Sequence, residues 1–427
     1  MSNTYDICII GAGIAGLYVA TEMLRHRSGL KICLTDKYKF LGGRAMTFRA
    51  DISGVSYQWE EGAARISTKH TIMMNLFRRY KLNTIPITGP SLYRESGAEP
   101  LEPDLFSKTI PITMGPLHDL ERGTLETTTI RSLFTKMFGP KETEALCERY
   151  PYRAEINTLR ADMALTLFDN EFGPTEQYVL CKEGLGELIS RMVADFEERK
   201  GVVLAQHELI EMRDSDTAVF KKGAPSEGES RPDAEISAKQ FVFAIPSVNL
   251  KRIRQFAGWS TLKKIAMCPL LRLYAAFPVD SDGKPWFEGM HKVVTATAAR
   301  YIIPGNPKTG SLQISYTDSE DAEALMAILE RSGEKALGKK IVEDLRTLFH
   351  DTYKIPDPLF VKAFSWKDGV SYWLPGHYDQ YEESRQAIQP FKAEHPNWYV
   401  CGESYSTRQC WMEGAVEHAN MVVRKLR

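Results

Sequence analysis

The sequence predicts an α/β fold: a Rossmann-like nucleotide-binding domain, assembled from separated segments, with a mixed α+β domain inserted between them. Three observations carry this. A strand, a glycine-rich turn, a helix and a second strand fill the first 35 residues. Strand and helix patterns then alternate to the end of the chain. A chain of 427 residues is also too long for one ordinary hydrophobic core, so two domains are expected.

Taken in order, Tyr5 to Ile10 reads as a short buried strand, Ile14 to Arg27 as a helix with Leu17, Ala20 and Leu24 at helical spacing, and Leu30 to Thr35 as a second strand. That is the strand–helix–strand unit of a parallel crossover. Ile72 to Tyr80 is helical, with Met73, Met74 and Phe77 on one side. Residues 83–125 are rich in Pro, Gly and Thr, with strand-like pieces. TIRSLFTKMF, KETEALCERY and GLGELISRMVADFEERKG read as helices, the last stopping at Gly201. VVLAQHELIEMRD (which carries Leu209), AKQFVFAIPSV, LLRLYAAF and SLQISYTD read as strands. KKGAPSEGESRPDAE has loop composition. Residues 321–349 form a helix broken near Gly333, and GAVEHANMVVRKL is a helix that follows the strand NWYVCG. The division that results is residues 1–80, 200–250 and 390–427 for the nucleotide domain, and residues 81–199 and 251–389 for the substrate domain.

Composition narrows the function classes. Hydrophobic residues make up 43% and charged residues 26% of the chain, and the formal net charge is -1. No basic block marks a nucleic-acid or anionic-membrane surface. No apolar run approaches the ~20 residues of a membrane span. The seven cysteines include no short paired spacing, and no Cys/His cluster suggests a metal site. With no signal-peptide pattern at the N-terminus, the expectation is a soluble cytoplasmic protein with reduced thiols.

Gly11, Gly13 and Gly16 form G-x-G-x-x-G between the first strand and its helix. The first glycine permits the tight turn, the second lets the backbone approach a pyrophosphate, and the third allows close helix–strand packing. Asp36 ends the second strand, 20 residues past Gly16, placed to accept hydrogen bonds from an adenosine ribose. NAD and FAD both satisfy these features. LGGRAMTF favours flavin: Gly42 and Gly43 expose backbone N–H groups, and Arg44 can face phosphate or flavin.

DICIIGAGIAGLYVA followed by DKYKFLGGRAMTF resembles the opening of the flavin-containing amine oxidases, a group that includes monoamine, polyamine and L-amino-acid oxidases. CKEGLGELISRM, FVFAIPSVNL and WYVCGESYSTRQCWMEGAVEHANMV are similar to further blocks of that family, so the resemblance spans nearly the whole chain. It implies that Gly402 and Glu403 lie near the pyrophosphate and ribityl chain of FAD. Met412 would offer its backbone N–H to the flavin's N1/O2 edge, and Ala415 would let that helix approach closely. Gly62, Ala63 and Ala64 would run past the flavin, and Leu209 belongs to the same cofactor set. Trp411 would wall the substrate amine, with Tyr372, Trp373 and Trp366 as candidates for the opposite wall. No cysteine stands between Cys268 and Cys401, where monoamine oxidases carry the one that bonds their flavin, so the FAD is expected to be non-covalent. The membrane-anchoring tail of those enzymes has no counterpart here. Arg272 stands where the family commonly has a lysine that assists the reaction with oxygen.

Arg65, in EEGAARISTKH, is similar to an arginine that clamps the substrate carboxylate in L-amino-acid oxidases, which also share a histidine matching His70. Tyr301, in ARYIIPGN, is the expected assisting tyrosine. The implied reaction is hydride transfer from Cα of the neutral amine to flavin N5, hydrolysis of the imine to a keto acid and ammonia, and reoxidation by dioxygen with release of hydrogen peroxide. Partners are therefore a small-molecule amine or L-amino acid and dioxygen, with a homodimer compatible with this reading. Two alternatives stay open: a monoamine or polyamine oxidase without the clamp, with Glu60 or Glu61 lining its pocket, and a flavoprotein desaturase or binding protein without oxidase turnover, suggested by Arg272.

Overall fold

A computed structural model describes residues 4–95, 104–172, 176–223 and 232–427. Its first sheet is built on parallel strands in the order Trp398–Val400, Asp233–Phe243, Tyr5–Ile10, Ile32–Thr35 and Val202–Leu204. Both faces of the two N-terminal strands are covered, which is why they read as near-continuous apolar runs. The crossover helix Ile14–His26 packs against the C-terminal helix Met412–Leu426 and against Leu185–Glu198, in one shared apolar core. A division at residue 199 assigns Leu185–Glu198 to the substrate domain. Its apolar stripe of Leu185, Leu188, Ile189, Met192 and Phe196 belongs to the nucleotide-domain core instead, so that boundary falls before the helix.

The sequence VVLAQHELIEMRD is two strands rather than one. Gln206 takes a positive φ of 57° between Val202–Leu204 and His207–Met212. The first strand joins the parallel sheet beside Ile32–Thr35, and the second starts an antiparallel meander through Thr217–Lys222 to Asp233–Phe243. A repeat of apolar residues cannot signal this turn, because both strands are half-buried and in phase. The loop-like stretch between these last strands falls largely on residues 224–231, outside the described residues.

A second, six-stranded sheet runs Phe360–Trp373, Ile265–Ala276, Ser311–Asp318, Tyr301–Pro304, Lys292–Val294 and Ser91–Tyr93. Ser319–Leu348 covers it through a separate core and breaks at Gly333, where φ is 81°, as the sequence leads one to expect. The segment 83–125 forms two short strands and then helical turns from Leu105 onward. These turns, with the helices through Glu171, share a core with Val294, Tyr301 and Trp373. Within the nucleotide domain, its first and last segments are tied at the start of the C-terminal helix. There the buried carboxylate of Glu413 accepts from the backbone N–H groups of Ile72 and Met73, both at 2.9 Å, which the first turn of Thr71–Arg79 leaves without helical partners.

The tightest constraint is at Gly16. A Cβ there would stand 1.9 Å from the Gly11 carbonyl oxygen and 3.2 Å from the Ala244 Cβ. Gly16→Ala must therefore push the helix off the strand. The expected loss is roughly 1–3 kcal/mol or more, read as a lower midpoint in thermal or denaturant unfolding; an unchanged midpoint would show that the contact can relax freely.

Candidate active site

One continuous cavity of about 1280 Å³ joins the two sheets. At one end are Gly11, Gly13 and Asp36; in the middle are Gly43, Arg44, Gly62, Ala63, Ala64, Leu209, Gly402, Glu403, Met412 and Ala415; at the far end are Arg65, Arg272, Tyr372 and Trp411. Of the residues expected to hold the cofactor or to clamp and wall the substrate, most meet in this one space, and Gly16 and Tyr301 do not. Gly16 lies beneath it, in the packing contact just described. Tyr301 is buried one layer behind the wall, where its hydroxyl is taken by Ser91 Oγ at 2.8 Å. On the neighbouring strand, Tyr316 faces the cavity instead.

The nucleotide end is built from backbone. A Cβ on Gly13 or on Gly402 would meet nothing within 4 Å, so both residues present bare main chain to the cavity. Gly42 N–H donates to Ala12 O at 2.8 Å, which seats the GGR turn against the glycine-rich turn. The Asp36 carboxylate accepts from Ala12 N–H and Tyr38 N–H, each at 2.9 Å, and burial raises its pKa. Each oxygen retains acceptor capacity toward the cavity. Gly62 must approach Arg44 closely, since a Cβ would lie 2.4 Å from the Arg44 carbonyl oxygen. Ala63 N–H donates to that same oxygen at 2.9 Å, so the GGR and GAAR segments run side by side.

Arg44 and Glu403 are largely spent on each other. Arg44 donates to Glu403 at 2.9 Å and to the Gly369 carbonyl at 2.7 Å. Glu403 also accepts from Ser371 N–H, Ser371 Oγ and Cys410 N–H at 2.9–3.1 Å. Its carboxylate is a structural hub, and only its surroundings are left to contact a cofactor.

At the far end, the guanidinium of Arg65 sits 5.2 Å from the ring centres of Tyr152, Phe172 and Tyr178 and 5.4 Å from that of Trp411. Tyr178 and Trp411 stack nearly parallel, 6.0 Å apart. Behind Trp411, His70 makes an edge contact at 5.0 Å. Its Nδ1 accepts from Ser67 N–H at 3.3 Å and its Nε2 lies 2.9 Å from Glu171, so Nε2 carries the proton. His70 thus positions the tryptophan. Among the described residues no carboxylate lies within ion-pair distance of Arg65, which contrasts with the paired Arg44 and Arg160.

The remaining expectations divide along strand faces. Trp366 and Tyr372 line the cavity, and Trp366 Nε1 donates to Glu61 O at 2.8 Å. Trp373, one residue on, faces the opposite side and is core, bonded to Ser406 O and Gln409. Arg272 lines the wall, stacks 5.1 Å over Tyr316 and donates to Tyr274 Oη at 3.1 Å. Of the two glutamates considered, Glu61 reaches the cavity and Glu60 does not; Glu60 accepts from Leu185 N–H and Thr47 Oγ1. Sequence reasoning missed Tyr152, Glu155, Phe172, Tyr178, Tyr316 and Asp318. A signal existed for two of them: Tyr316 and Asp318 are two apart on SLQISYTD and share a face.

The sequence matches the family of flavin-containing amine oxidoreductases over residues 14–426, and the chain belongs to that family. The fold agrees. Putrescine oxidase bound to putrescine superimposes with a TM-score of 0.72 at 16% identity, covering 100% of this chain and 99% of that one. A variant of that enzyme redesigned for cofactor binding gives 0.74, with the same identity and coverage. No curated protein matches. The protein is therefore a flavoprotein oxidoreductase acting on amines. The bare main chain at Gly13 and Gly402, the acceptor at Asp36 and the length of the cavity fit a flavin dinucleotide. Among the described residues, no helix is long and apolar enough to cross a membrane.

Two outcomes follow for the cofactor. A Cβ at Gly13 meets no protein atom within 4 Å, so Gly13→Val fills the cradle from its open side, and the folded protein is expected to lose its flavin absorbance while its unfolding cooperativity stays. Cys410 is the cysteine nearest the site, and burial raises its thiol pKa well above normal, which leaves it a poor nucleophile. Acid-denatured protein is expected to release all of its flavin on filtration; yellow colour retained by the protein would contradict this.

Proposed function

We propose that the protein is an FAD-dependent L-amino-acid oxidase that holds its FAD non-covalently. The observation that carries this is Arg65: a guanidinium at the cavity wall, surrounded by aromatic faces, with no carboxylate of the described chain in ion-pair reach. A cation taken out of water needs an anionic partner, and the rings supply only part of that. A substrate carboxylate suits the planar fork. When bound, the flavin supplies the acceptor for the hydride that leaves Cα, and dioxygen then receives the electrons as hydrogen peroxide. The chain's own residues orient and desolvate. Arg65 fixes the carboxylate, Trp411 and Tyr178 wall the substrate, and Tyr152, Phe172 and Tyr316 keep water from the carbon that reacts. The imine released would hydrolyse to a keto acid and ammonia.

A second reading, an amine or polyamine oxidase, has support from Glu61, Glu155 and Asp318, which give the same cavity acidic groups. The likeness to putrescine oxidase speaks to the fold and does not choose between the two. A third, a flavoprotein that does not turn over with oxygen, rests on Arg272.

Peroxide release from L-amino acids, monoamines and spermine separates them. Activity on amines alone would remove the first reading, and a flavin that bleaches but never reoxidises in air would support the third. Arg65→Met is expected to raise the KM for an amino acid by roughly 30-fold or more, since loss of a buried charge-assisted pair costs about 2–5 kcal/mol. An unchanged KM would contradict the clamp.

A further inference from the structure

Glu155 is 5% exposed, lines the cavity near Arg65, and has an Oε2 atom that is buried without a hydrogen-bond partner. It belongs to the short turn Ala154–Asn157. The start of that turn is pinned by Asp318, whose Oδ1 accepts from Arg153 N–H at 2.9 Å and Ala154 N–H at 3.0 Å. Two carboxyl groups therefore share one corner of the site, and only Asp318 is committed to holding structure. We infer that Glu155 is the base that takes the proton from the substrate's ammonium group.

The step balances without a co-reactant. An N–H bond of R–NH₃⁺ breaks, an O–H bond forms on the Glu155 carboxylate, and R–NH₂ and Glu155–COOH result. The nitrogen lone pair freed in this way is what must become half of the C=N bond as hydride departs from Cα, so a protonated amine cannot react. Glu155 afterwards returns its proton to water through the cavity.

The electrostatics suit this. Burial pushes Glu155 up to about 7, against hydrogen bonding to its own backbone and to the Tyr372 hydroxyl and the weaker pull of Arg65. Burial and the nearby Glu155 push Asp318 upward too, which keeps the pair from carrying two full charges. The other titratable groups around Glu155 are Tyr372, Tyr316, Cys268 and Cys410, each raised by burial and so neutral near pH 7. Glu60 is an internal control. Burial also lifts it to about 7, but its oxygens are occupied by Leu185 N–H and Thr47 Oγ1 and it does not line the cavity. A perturbed acid alone is not a base for substrate; an unpartnered oxygen at the site distinguishes Glu155.

The inference rests on the amine-oxidising reading and needs only that an amine be substrate. The test is the rate of anaerobic flavin bleaching in the holoenzyme across about pH 6 to 10, with whichever L-amino acid or amine bleaches it. Glu155 must be ionised to act, so the wild-type rate is expected to fall as pH drops through its pKa. In Glu155→Gln the rate near pH 7 should fall roughly 10²- to 10⁴-fold, recover at alkaline pH where the substrate is already neutral, and be partly restored in Glu155→Asp. Independently of turnover, infrared titration should show a protonated carboxyl signal that disappears near neutral pH, and the E155Q difference spectrum should lack the Glu155 share of it while the share from Glu60 remains. If amines bleach the flavin and amino acids do not, the amino-acid reading falls while the Glu155 test proceeds on the amine. An E155Q profile parallel to wild type, or an effect on KM alone with a diamine, would overturn the base. Should E155Q not fold, a flat wild-type profile below neutrality would overturn it.

Discussion

Glu403 is the contact on which the site's geometry depends. Its carboxylate gathers Arg44 from the turn after the second strand, Ser371 from the long strand of the second sheet, and Cys410 from the turn before the C-terminal helix. These three segments are more than 300 residues apart at the extremes, and each contributes cavity wall. A buried carboxylate with four donors is well compensated, and removing it would leave two backbone amides without an acceptor and Arg44 without its counter-ion. The turn it holds is itself strained: Cys410 has φ 69°, and that conformation aims Trp411 at Arg65. The motif pair GGR and CGE is therefore first a clamp between domains and only secondarily a surface for a cofactor.

The order of charges along the cavity follows from that clamp. Near the glycine-rich turn, the donors facing the open space are backbone amides, which suit a phosphate without leaving a bare cation behind. In the middle, the cation Arg44 is neutralised by protein. Further on, Arg272 is packed on Tyr316 and bonded to Tyr274, with Glu60 close enough to be felt. Arg65 differs from these: its neighbours are ring faces. Cation–π contacts of about 0.5–2 kcal/mol each soften the cost of burial but do not replace a counter-charge. The tyrosines serve twice, as faces for the guanidinium and as walls against water.

Much of this was legible in the sequence wherever a constraint is local. The glycine spacing, Asp36 and the C-terminal block report on turns and helix starts, and those features depend on a few consecutive residues. The break at Gly333 is of the same kind. What was not legible depends on parity and on distant pairing. Tyr301 and Tyr316 are both tyrosines on adjacent strands of one sheet, and only the register Ile303 opposite Gln313 sends one to the core and the other to the cavity. Trp366 and Trp373 are an odd number of residues apart on one strand and face opposite sides, whereas Trp366 and Tyr372 are an even number apart and both line the cavity. Tyr152 and Glu155 sit on short turns between helices that have no periodicity to read. Glu60 and Glu61 show the limit most simply, since nothing in the pair EE says which one points inward.

The same register that hid Tyr316 also explains why the acidic corner exists. Ser311–Asp318 ends at the cavity, and the side chain of its last residue, Asp318, caps the turn that carries Glu155. Arg153 and Arg300 meanwhile bond Asp321 on the next helix turn, at 3.3 and 3.0 Å, which takes the nearest cations away from the pair. An acid lacking a local counter-ion in a dry site must either stay protonated or find a cation that arrives with the substrate. The structure thus sets an unpaired guanidinium and an unsatisfied carboxyl in one cavity without letting them neutralise each other by direct contact. A small molecule bearing both an anion and an ammonium group would satisfy the two at once, whereas a simple amine would leave Arg65 facing only rings.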